Sequence, residues 1–192
     1  MAKIDDVSEP DRRDFIVQAA YAFAGVGSVV AVWPLIDQMN PNTATPPPEV
    51  RDVDLSSIQP GQTVSVPWRG RPVSIRHRTS EEVQLARSTA LSDLPDPFAR
   101  NEALPERTPA SDANRTKEGH DNWLVVVSVC THLGCVLTSQ EPAATVASGE
   151  GWFCRCHAAR FDLSGRVRGG PARTNLPVPP YRFLSPTRIR IG

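Results

Sequence analysis

The sequence predicts an all-β fold, an antiparallel sandwich or barrel, with one transmembrane helix before it. Three observations support this prediction. Short stretches of alternating polarity recur between turn signals, as at residues 63–66 (TVSV) and 73–75 (VSI), which is typical of antiparallel β domains. The 19 prolines, against two tyrosines and two methionines, favour strands, turns and loops over a helical bundle. An uncharged apolar run near the N-terminus supplies the helix.

This N-terminal run comprises residues 15–36. At about 1.5 Å of rise per residue, a helix of this length spans roughly 33 Å, enough to cross the hydrocarbon core of a bilayer. Arg12 and Arg13 precede the run. Since positive residues stay on the cytoplasmic side, we predict residues 1–14 in the cytoplasm and the rest of the chain outside. The stretch RRDF at residues 12–15 also resembles a twin-arginine export signal.

We expect the run to remain as an anchor rather than to be cleaved. The apolar core of a signal peptide has about 7–15 residues, and no small-x-small cleavage pattern follows residue 36. Residues 37–52 are predicted as a flexible linker, because residues 39–48 (MNPNTATPPP) lack apolar periodicity and end in three prolines. Such a proline run favours an extended polyproline conformation. Residues 53–192 then form the β domain.

Further elements of the domain follow from the same patterns. A capping box at residues 79–82 (TSEE) predicts a short helix that ends near residue 90. Residues 91–120 are rich in prolines and charges and are predicted as loop without a chemical role. The formal net charge of zero indicates no nucleic-acid partner. Strands are predicted at residues 123–129, 151–153, 178–183 and 188–191.

All four cysteines lie in two short motifs, CTHLGC at residues 130–135 and CRCH at residues 154–157. The motifs also contain two of the four histidines. Two thiolates and two imidazoles are the donor set of a Rieske-type [2Fe–2S] centre, in which cysteines bind one iron and histidines the other. The pattern therefore predicts a one-electron carrier. The candidate ligands are Cys130, His132, Cys154 and His157.

Two other interpretations of the motifs remain open at this point. Zinc also accepts two cysteines and two histidines, although its usual spacing pairs Cys with Cys and His with His, whereas each motif here supplies one of each. The four cysteines could instead form two disulfides. His77 and His120 have charged, turn-like surroundings and are predicted to be solvated, without a role.

Over nearly its whole length the chain resembles the Rieske iron–sulfur subunit of cytochrome bc1 complexes (ubiquinol–cytochrome c reductases), of the α-proteobacterial kind. The resemblance covers the two motifs, the twin-arginine anchor, and the stretches WPLI (33–36), QMNP (38–41), GPA (170–172) and NLP (175–177). It implies a Rieske-type fold with a cluster-binding subdomain at about residues 128–174, holding one [2Fe–2S] cluster per chain.

The resemblance also implies roles for individual residues. A disulfide would join Cys135 to Cys156. Cys130 and Cys154 would bind one iron of the cluster, and His132 and His157 would bind the other iron. The residues around the cluster would be Leu133, Gly134, Ala159, Phe161, Gly170 and Pro171.

The function implied by the resemblance is electron transfer in a quinol–cytochrome c oxidoreductase, a translocase of the cell inner membrane. The chain would accept one electron from quinol at the Qo site of cytochrome b and pass it to cytochrome c1, within a dimeric complex and with its β domain in the periplasm. His157 would accept a hydrogen bond and then a proton from quinol. The alternative is the small Rieske subunit of another periplasmic oxidoreductase, such as arsenite oxidase, which also fits the twin-arginine signal.

The second motif departs from the family's usual sequence, C-P-C-H-G-S-x-Y. Ala159 and Phe161 stand where the family has Ser and Tyr, whose hydroxyls donate to a bridging sulfide and to a ligand cysteine and so stabilise the reduced cluster. A bond that is stronger by about 1–2 kcal/mol in the reduced state corresponds to roughly 40–90 mV. The sequence therefore predicts a lowered midpoint potential, partly opposed by the charges of Arg155 and Arg160. It leaves open whether the quinol is ubiquinol or a lower-potential quinol such as menaquinol.

Overall fold

The structure is a computed structural model that describes residues 11–40, 49–139 and 149–192. The chain divides into two units, Met1–Pro46 and Pro47–Gly192. Of the linker predicted at residues 37–52, residues 41–48 lie outside the described residues. Within the described residues, the first unit contains a helix and the second contains the strands.

The helix of the first unit, α1, comprises Arg12–Asp37. Asp11 caps its N-terminus, and the Asp14 side chain accepts a hydrogen bond from the Asp11 backbone N–H (3.3 Å), which completes a capping box. An 18-residue window of the helix has a mean hydropathy of 1.9, and the helix has no buried residue, so that it is long and apolar enough to cross a membrane. This confirms the predicted N-terminal apolar helix. α1 is longer than the predicted run of residues 15–36, because Arg12, Arg13 and Asp14 before the run and Asp37 after it are also helical.

The second unit contains ten strands in three antiparallel sheets among the described residues. The first sheet comprises, in order, β1 (Arg51–Asp54), β10 (Arg188–Ile191) and β9 (Tyr181–Ser185). The second comprises β2 (Thr63–Trp68), β3 (Arg71–His77) and β4 (Trp123–Val127). The third comprises β5 (Thr138–Ser139), β6 (Glu150–Cys154), β7 (Ala159–Asp162) and β8 (Val167–Gly169). The predicted all-β fold with one N-terminal helix is confirmed.

The β2–β3 hairpin is longer than the sequence predicts. Only Arg69 and Gly70 form its turn, with φ values of 47° and 72°, and Trp68 pairs with Arg71 across it. Positive φ at both central residues is typical of the type I′ turn, whose twist matches that of the paired strands. Residues 71–72 therefore belong to β3, which begins two residues before the predicted stretch at residues 73–75.

One hydrophobic core supports both the outer sheets and the motif loops. All five residues of β4 are buried, and the same core cluster includes Ile75, Ile189, Trp152 and Phe161, which together represent all three sheets. Because β4 leads directly into the first motif and β6 into the second, the core fixes the start of both motifs.

The short helix α2 (Ser80–Ser88) begins after Thr79, as the capping box predicts. Thr79 accepts a hydrogen bond from the Glu82 N–H (3.3 Å), and the Glu82 carboxylate accepts one from the Thr79 N–H (3.2 Å). Glu82 also forms a buried ion pair with Arg76 of β3 (2.6 Å). Removing one partner of such a pair typically costs about 3–5 kcal/mol, because the other charge is left buried and unpaired. This pair therefore attaches α2 to β3.

The prediction that His77 and His120 are solvated is wrong, since both are half-buried. His77 stacks on Trp123 with 4.1 Å between ring centroids, and its Nδ1 lies 2.8 Å from the Ile58 carbonyl oxygen. His120 stacks on Phe183 at 3.6 Å. Their aromatic partners, Trp123 and Phe183, lie in strands β4 and β9. The sequence around each histidine does not indicate these contacts.

Candidate metal centre

The first motif forms a tight loop after β4. The Cys130 N–H donates to the Cys135 carbonyl (2.8 Å), and the Gly134 N–H donates to the Cys130 carbonyl (2.9 Å). Gly134 has a φ of 84°, a left-handed conformation that glycine adopts at little cost. The Cys130 side chain is buried, whereas Leu133 is 70% exposed. The loop therefore directs a thiol inward and an apolar side chain outward.

The second motif connects β6 to β7. Cys154 ends β6 and pairs with Ala159, the first residue of β7, so that residues 155–158 form the loop. Cys154 is buried and His157 is exposed. Ala158 has a φ of 55°, a conformation that costs about 1–2 kcal/mol for a residue with a Cβ atom. The chain thus reverses direction immediately after His157.

The two loops bring the four predicted ligands together in two pairs. The thiols of Cys130 and Cys154 are both free and buried, and the Cys154 thiol is close enough to raise the pKa of Cys130. The imidazoles of His132 and His157 lie with 4.8 Å between ring centroids and their planes at 87°. His132 is half-buried and His157 is exposed. The thiol pair is therefore buried, while the imidazole pair reaches the surface.

The electrostatics around Cys130 suit a metal centre. Burial raises the pKa of the Cys130 thiol and the adjacent Cys154 thiol raises it further, whereas the backbone N–H groups of His132 and Leu133 act in the opposite direction. Coordination to a metal cation removes the cost of the buried thiolate, because a coordinating thiol is deprotonated. Backbone N–H groups directed at a cysteine sulfur also stabilise an anionic iron–sulfur cluster. The donor set and its surroundings thus fit a [2Fe–2S] cluster.

The other two cysteines, Cys135 and Cys156, form a disulfide that joins the two loops, as the family resemblance implies. The Cys154 sulfur lies within 4.8 Å of both of their sulfur atoms. By distance alone these three sulfurs could share a metal ion. Because two of them are bonded to each other, they cannot both be thiolate ligands, and the free thiols are those of Cys130 and Cys154.

A third loop, which includes Gly170 and Pro171, lies against the second. Gly170 has a φ of 83°, and a Cβ atom there would come within 2.5 Å of the Ala159 Cα and 2.7 Å of the Ala158 carbonyl oxygen. Only glycine permits so close an approach. The Thr131 hydroxyl donates to the Thr174 carbonyl (2.7 Å) and so connects the first loop to the third.

Ala159 and Phe161 occupy fully buried positions behind the second loop. Ala159 is the direct cross-strand partner of Cys154, and Phe161 is that of Trp152. Neither side chain carries a hydrogen-bond donor. The two positions where the family has hydroxyl groups are therefore apolar here.

Buried arginines hold the segments behind the loops, and no motif in the sequence singles them out. Arg115 donates to the carbonyls of Ser164, Gly165 (3.4 Å) and Leu176 (2.7 Å). Complete burial lowers the pKa of Arg115 to about 10, and so it remains a cation at neutral pH. Arg115 lies in a segment rich in prolines and charges, where an arginine is usually solvated. The neighbouring sequence contains no pattern that would identify Arg115 as buried.

A second arginine, Arg78, binds the Asp112 carboxylate (2.6 Å). The Ser164 hydroxyl donates to the same carboxylate. Burial raises the pKa of Asp112, but the hydrogen bond and charge of Arg78 and the hydrogen bond of Ser164 lower it more, and the net shift is downward. Asp112 is thus an anion in the folded protein at neutral pH, and it has a structural role within the segment of residues 91–120.

Comparison with known proteins agrees with this site. A family model described as "Rieske [2Fe-2S] domain" matches residues 106–180, and one described as "Ubiquitinol-cytochrome C reductase Fe-S subunit TAT signal" matches residues 2–42. These matches confirm the predicted cofactor and the twin-arginine signal.

Several curated relatives carry the name ubiquinol–cytochrome c reductase iron–sulfur subunit. The chain is 45% identical to the one from Bradyrhizobium diazoefficiens, with 100% of both chains covered. It is 48% identical to the one from Rickettsia typhi, over 94% of this chain and 93% of the relative. It is 44% identical to the one from Blastochloris viridis, over 97% and 96%. The chain belongs to the family of Rieske iron–sulfur subunits of ubiquinol–cytochrome c reductase.

Proposed function

We propose that the chain takes one electron from quinol at the Qo site of cytochrome b and delivers it to cytochrome c1, as a subunit of a dimeric complex. One observation carries the proposal: the two motif loops together supply two buried thiols and two imidazoles that reach the surface. In this arrangement Cys130 and Cys154 would hold one iron of the cluster, and His132 and His157 would hold the other. When bound, the cluster supplies reversible one-electron chemistry.

His157 is the group that meets quinol. Its imidazole is exposed, whereas that of His132 is half-buried. A ring nitrogen that does not bind iron can accept a hydrogen bond from a quinol hydroxyl and then its proton. The proton and the electron thus leave quinol at the same tip of the domain.

The surface beside the imidazoles is apolar and suits a protein partner. Leu133 is 70% exposed and Val136 is 66% exposed, both in the first loop region. Exposed apolar side chains beside a functional site are typical of interaction surfaces. We assign this surface to contact with cytochrome b around the quinol site.

The N-terminal segments support a periplasmic position for the domain. Arg12 and Arg13 precede the apolar part of α1, and the positive-inside rule keeps them in the cytoplasm. Residues 15–36 then span the inner membrane, the segment between α1 and β1 acts as the linker, and the β domain from Arg51 onwards lies on the periplasmic side. The linker gives the domain the reach to contact cytochrome b and cytochrome c1 in turn.

Ala159 and Phe161 set a lowered midpoint potential. Both are fully buried and lack a donor, so the reduced cluster loses the stabilisation that hydroxyls at these positions would provide. The exposed side chains of Arg155 and Arg160 oppose part of this shift. The complex is therefore suited to a quinol of low potential.

The test is to isolate the full chain in detergent from its native membrane. We expect about two iron atoms per chain, as a [2Fe–2S] cluster requires, the EPR signal of a reduced Rieske cluster, and co-purification with cytochromes b and c1. Zinc in place of iron would refute the cofactor assignment. Recovery with a molybdenum-containing subunit instead of the cytochromes would refute the assignment to quinol oxidation and favour the periplasmic oxidoreductase alternative.

A further inference from the structure

A free thiol lies close to the disulfide that joins the two loops. The thiol is that of Cys154, and the disulfide is formed by Cys135 and Cys156. Each of the three sulfur atoms lies within 4.8 Å of the other two. Cys154 is buried and unbonded, Cys135 is half-buried, and Cys156 is exposed. A thiolate this close to a disulfide is positioned for thiol–disulfide exchange, in which it attacks one sulfur and displaces the other.

We propose that Cys154 exchanges with the Cys135–Cys156 disulfide whenever no cluster is bound. The Cys154 sulfur attacks the Cys135 sulfur, a Cys135–Cys154 bond forms, the Cys135–Cys156 bond breaks, and Cys156 leaves as a thiolate. One disulfide is lost and one is formed, and so no oxidant or reductant is consumed. The proposal rests on the proposed function, since bound iron occupies the Cys154 sulfur and prevents the attack.

The surroundings of the two disulfide sulfurs determine the direction of attack. Cys156 is exposed, and water stabilises it as the departing thiolate, which is the better leaving group. After the exchange the buried Cys154 sulfur is part of a neutral disulfide, and the negative charge is carried by the exposed Cys156. The new cross-link closes a loop only two residues shorter than the native one of 21 residues. Its entropic contribution therefore hardly changes.

The exchange has a consequence for assembly. It consumes a proposed ligand, and so the rearranged protein has lost one of the two thiols required to bind iron. Cluster insertion must then precede disulfide formation, or the disulfide must be reduced first. The state of Cys154 therefore decides whether the apoprotein can take up a cluster: it can with a free Cys154 thiol, and it cannot once Cys154 is part of a disulfide.

The sequence offers a direct assay for the exchange. Trypsin cleaves after Lys117, Arg155 and Arg160, so that peptide 118–155 contains three cysteines and peptide 156–160 (CHAAR) contains only Cys156. The native disulfide links the two peptides. After exchange, the first peptide is bridged internally and the second is released with a free thiol, which N-ethylmaleimide labels when it is added before denaturation and digestion.

A matched pair of variants of the full chain tests the role of Cys154. Cys130→Ser and Cys154→Ser each lose one proposed ligand and should lack the cluster, but only Cys130→Ser retains the attacking sulfur. We expect the labelled peptide 156–160 to become the major form in Cys130→Ser and to stay at background in Cys154→Ser. Wild-type protein stripped of iron by an anaerobic chelator should behave like Cys130→Ser.

The outcomes separate this proposal from the proposed function. If stripped wild-type protein and Cys130→Ser both keep the peptides linked, the exchange is refuted, while iron and the EPR signal in the untreated protein still support the function. If Cys154→Ser releases the labelled peptide as readily as Cys130→Ser, another group breaks the disulfide and the role of Cys154 is refuted. Absence of iron from the untreated protein would refute the function itself, and labelled peptide 156–160 in that sample would still support the exchange.

Discussion

A methyl group at Gly170 should disrupt the contact between the second and third loops. In Gly170→Ala, the Cβ atom would lie 2.5 Å from the Ala159 Cα and 2.7 Å from the Ala158 carbonyl oxygen, at a φ of 83°. Both neighbours are backbone atoms, which cannot move aside as a flexible side chain could. The left-handed conformation costs about 1–2 kcal/mol and overpacking about 1–3 kcal/mol. We therefore expect a loss of about 2–5 kcal/mol in the free energy of unfolding.

Gly119→Ala is the matched control for this substitution. Gly119 has a φ of 75°, but a Cβ atom there would meet no other atom within 4 Å, and so the variant should lose only the conformational part, about 1–2 kcal/mol. Thermal unfolding of each full-length variant in detergent measures the difference, at about 2–4 °C per kcal/mol for a domain of this size. The rate at which visible cluster absorbance is lost should rise in Gly170→Ala alone. Equal Tm shifts in the two variants would refute the close approach of the loops.

Three further predictions concern the same region. Ala158→Gly should stabilise the protein by about 1 kcal/mol, because it relieves the left-handed strain at a φ of 55°; a lower Tm would contradict this. Ala159→Ser and Phe161→Tyr should each raise the midpoint potential by about 40–90 mV in a redox titration, with an unchanged value counting against the hydrogen-bond argument. Asp112 has a pKa below its usual value of 3.8, so its contribution to stability is complete above about pH 4 and is lost as the pH falls through the lowered pKa. Asp112→Asn should therefore have a smaller free energy of unfolding at pH 7, and that free energy should fall less as the pH is lowered. The same dependence of the free energy of unfolding on pH in the variant and the wild type would contradict this.

The parts of the fold and site that the sequence could predict depend on local patterns. The anchor follows from a continuous uncharged run, and the start of α2 follows from Thr79 and Glu82 in one capping box. The four candidate ligands follow from the types and spacing of residues within two short motifs. The structure brings these ligands together because β4 and β6, which lead into the motifs, belong to one core.

The parts that could not be predicted depend on contacts between distant residues. Arg115 donates to carbonyls 49 and 61 positions further along the chain, and its surrounding sequence has the composition of a solvated loop. His77 was wrongly predicted to be solvated because Trp123, on which it stacks, is 46 positions away. A buried polar residue is identified by what surrounds it in three dimensions, and neither periodicity nor composition contains that information.

The three loops around the proposed cluster are fastened in pairs, each by a different kind of contact. The Cys135–Cys156 disulfide joins the first loop to the second, the close packing of Gly170 on Ala159 joins the second to the third, and the hydrogen bond from Thr131 to the Thr174 carbonyl joins the third to the first. Each loop is therefore connected to both of the others. If one of the three contacts is removed, every loop still has a contact with another loop. The disulfide is the only one of the three that a chemical exchange can rearrange without unfolding the domain. If Cys154 binds the cluster as proposed, the bound cluster would protect the disulfide from exchange, and the three contacts together would keep the two imidazoles at the surface.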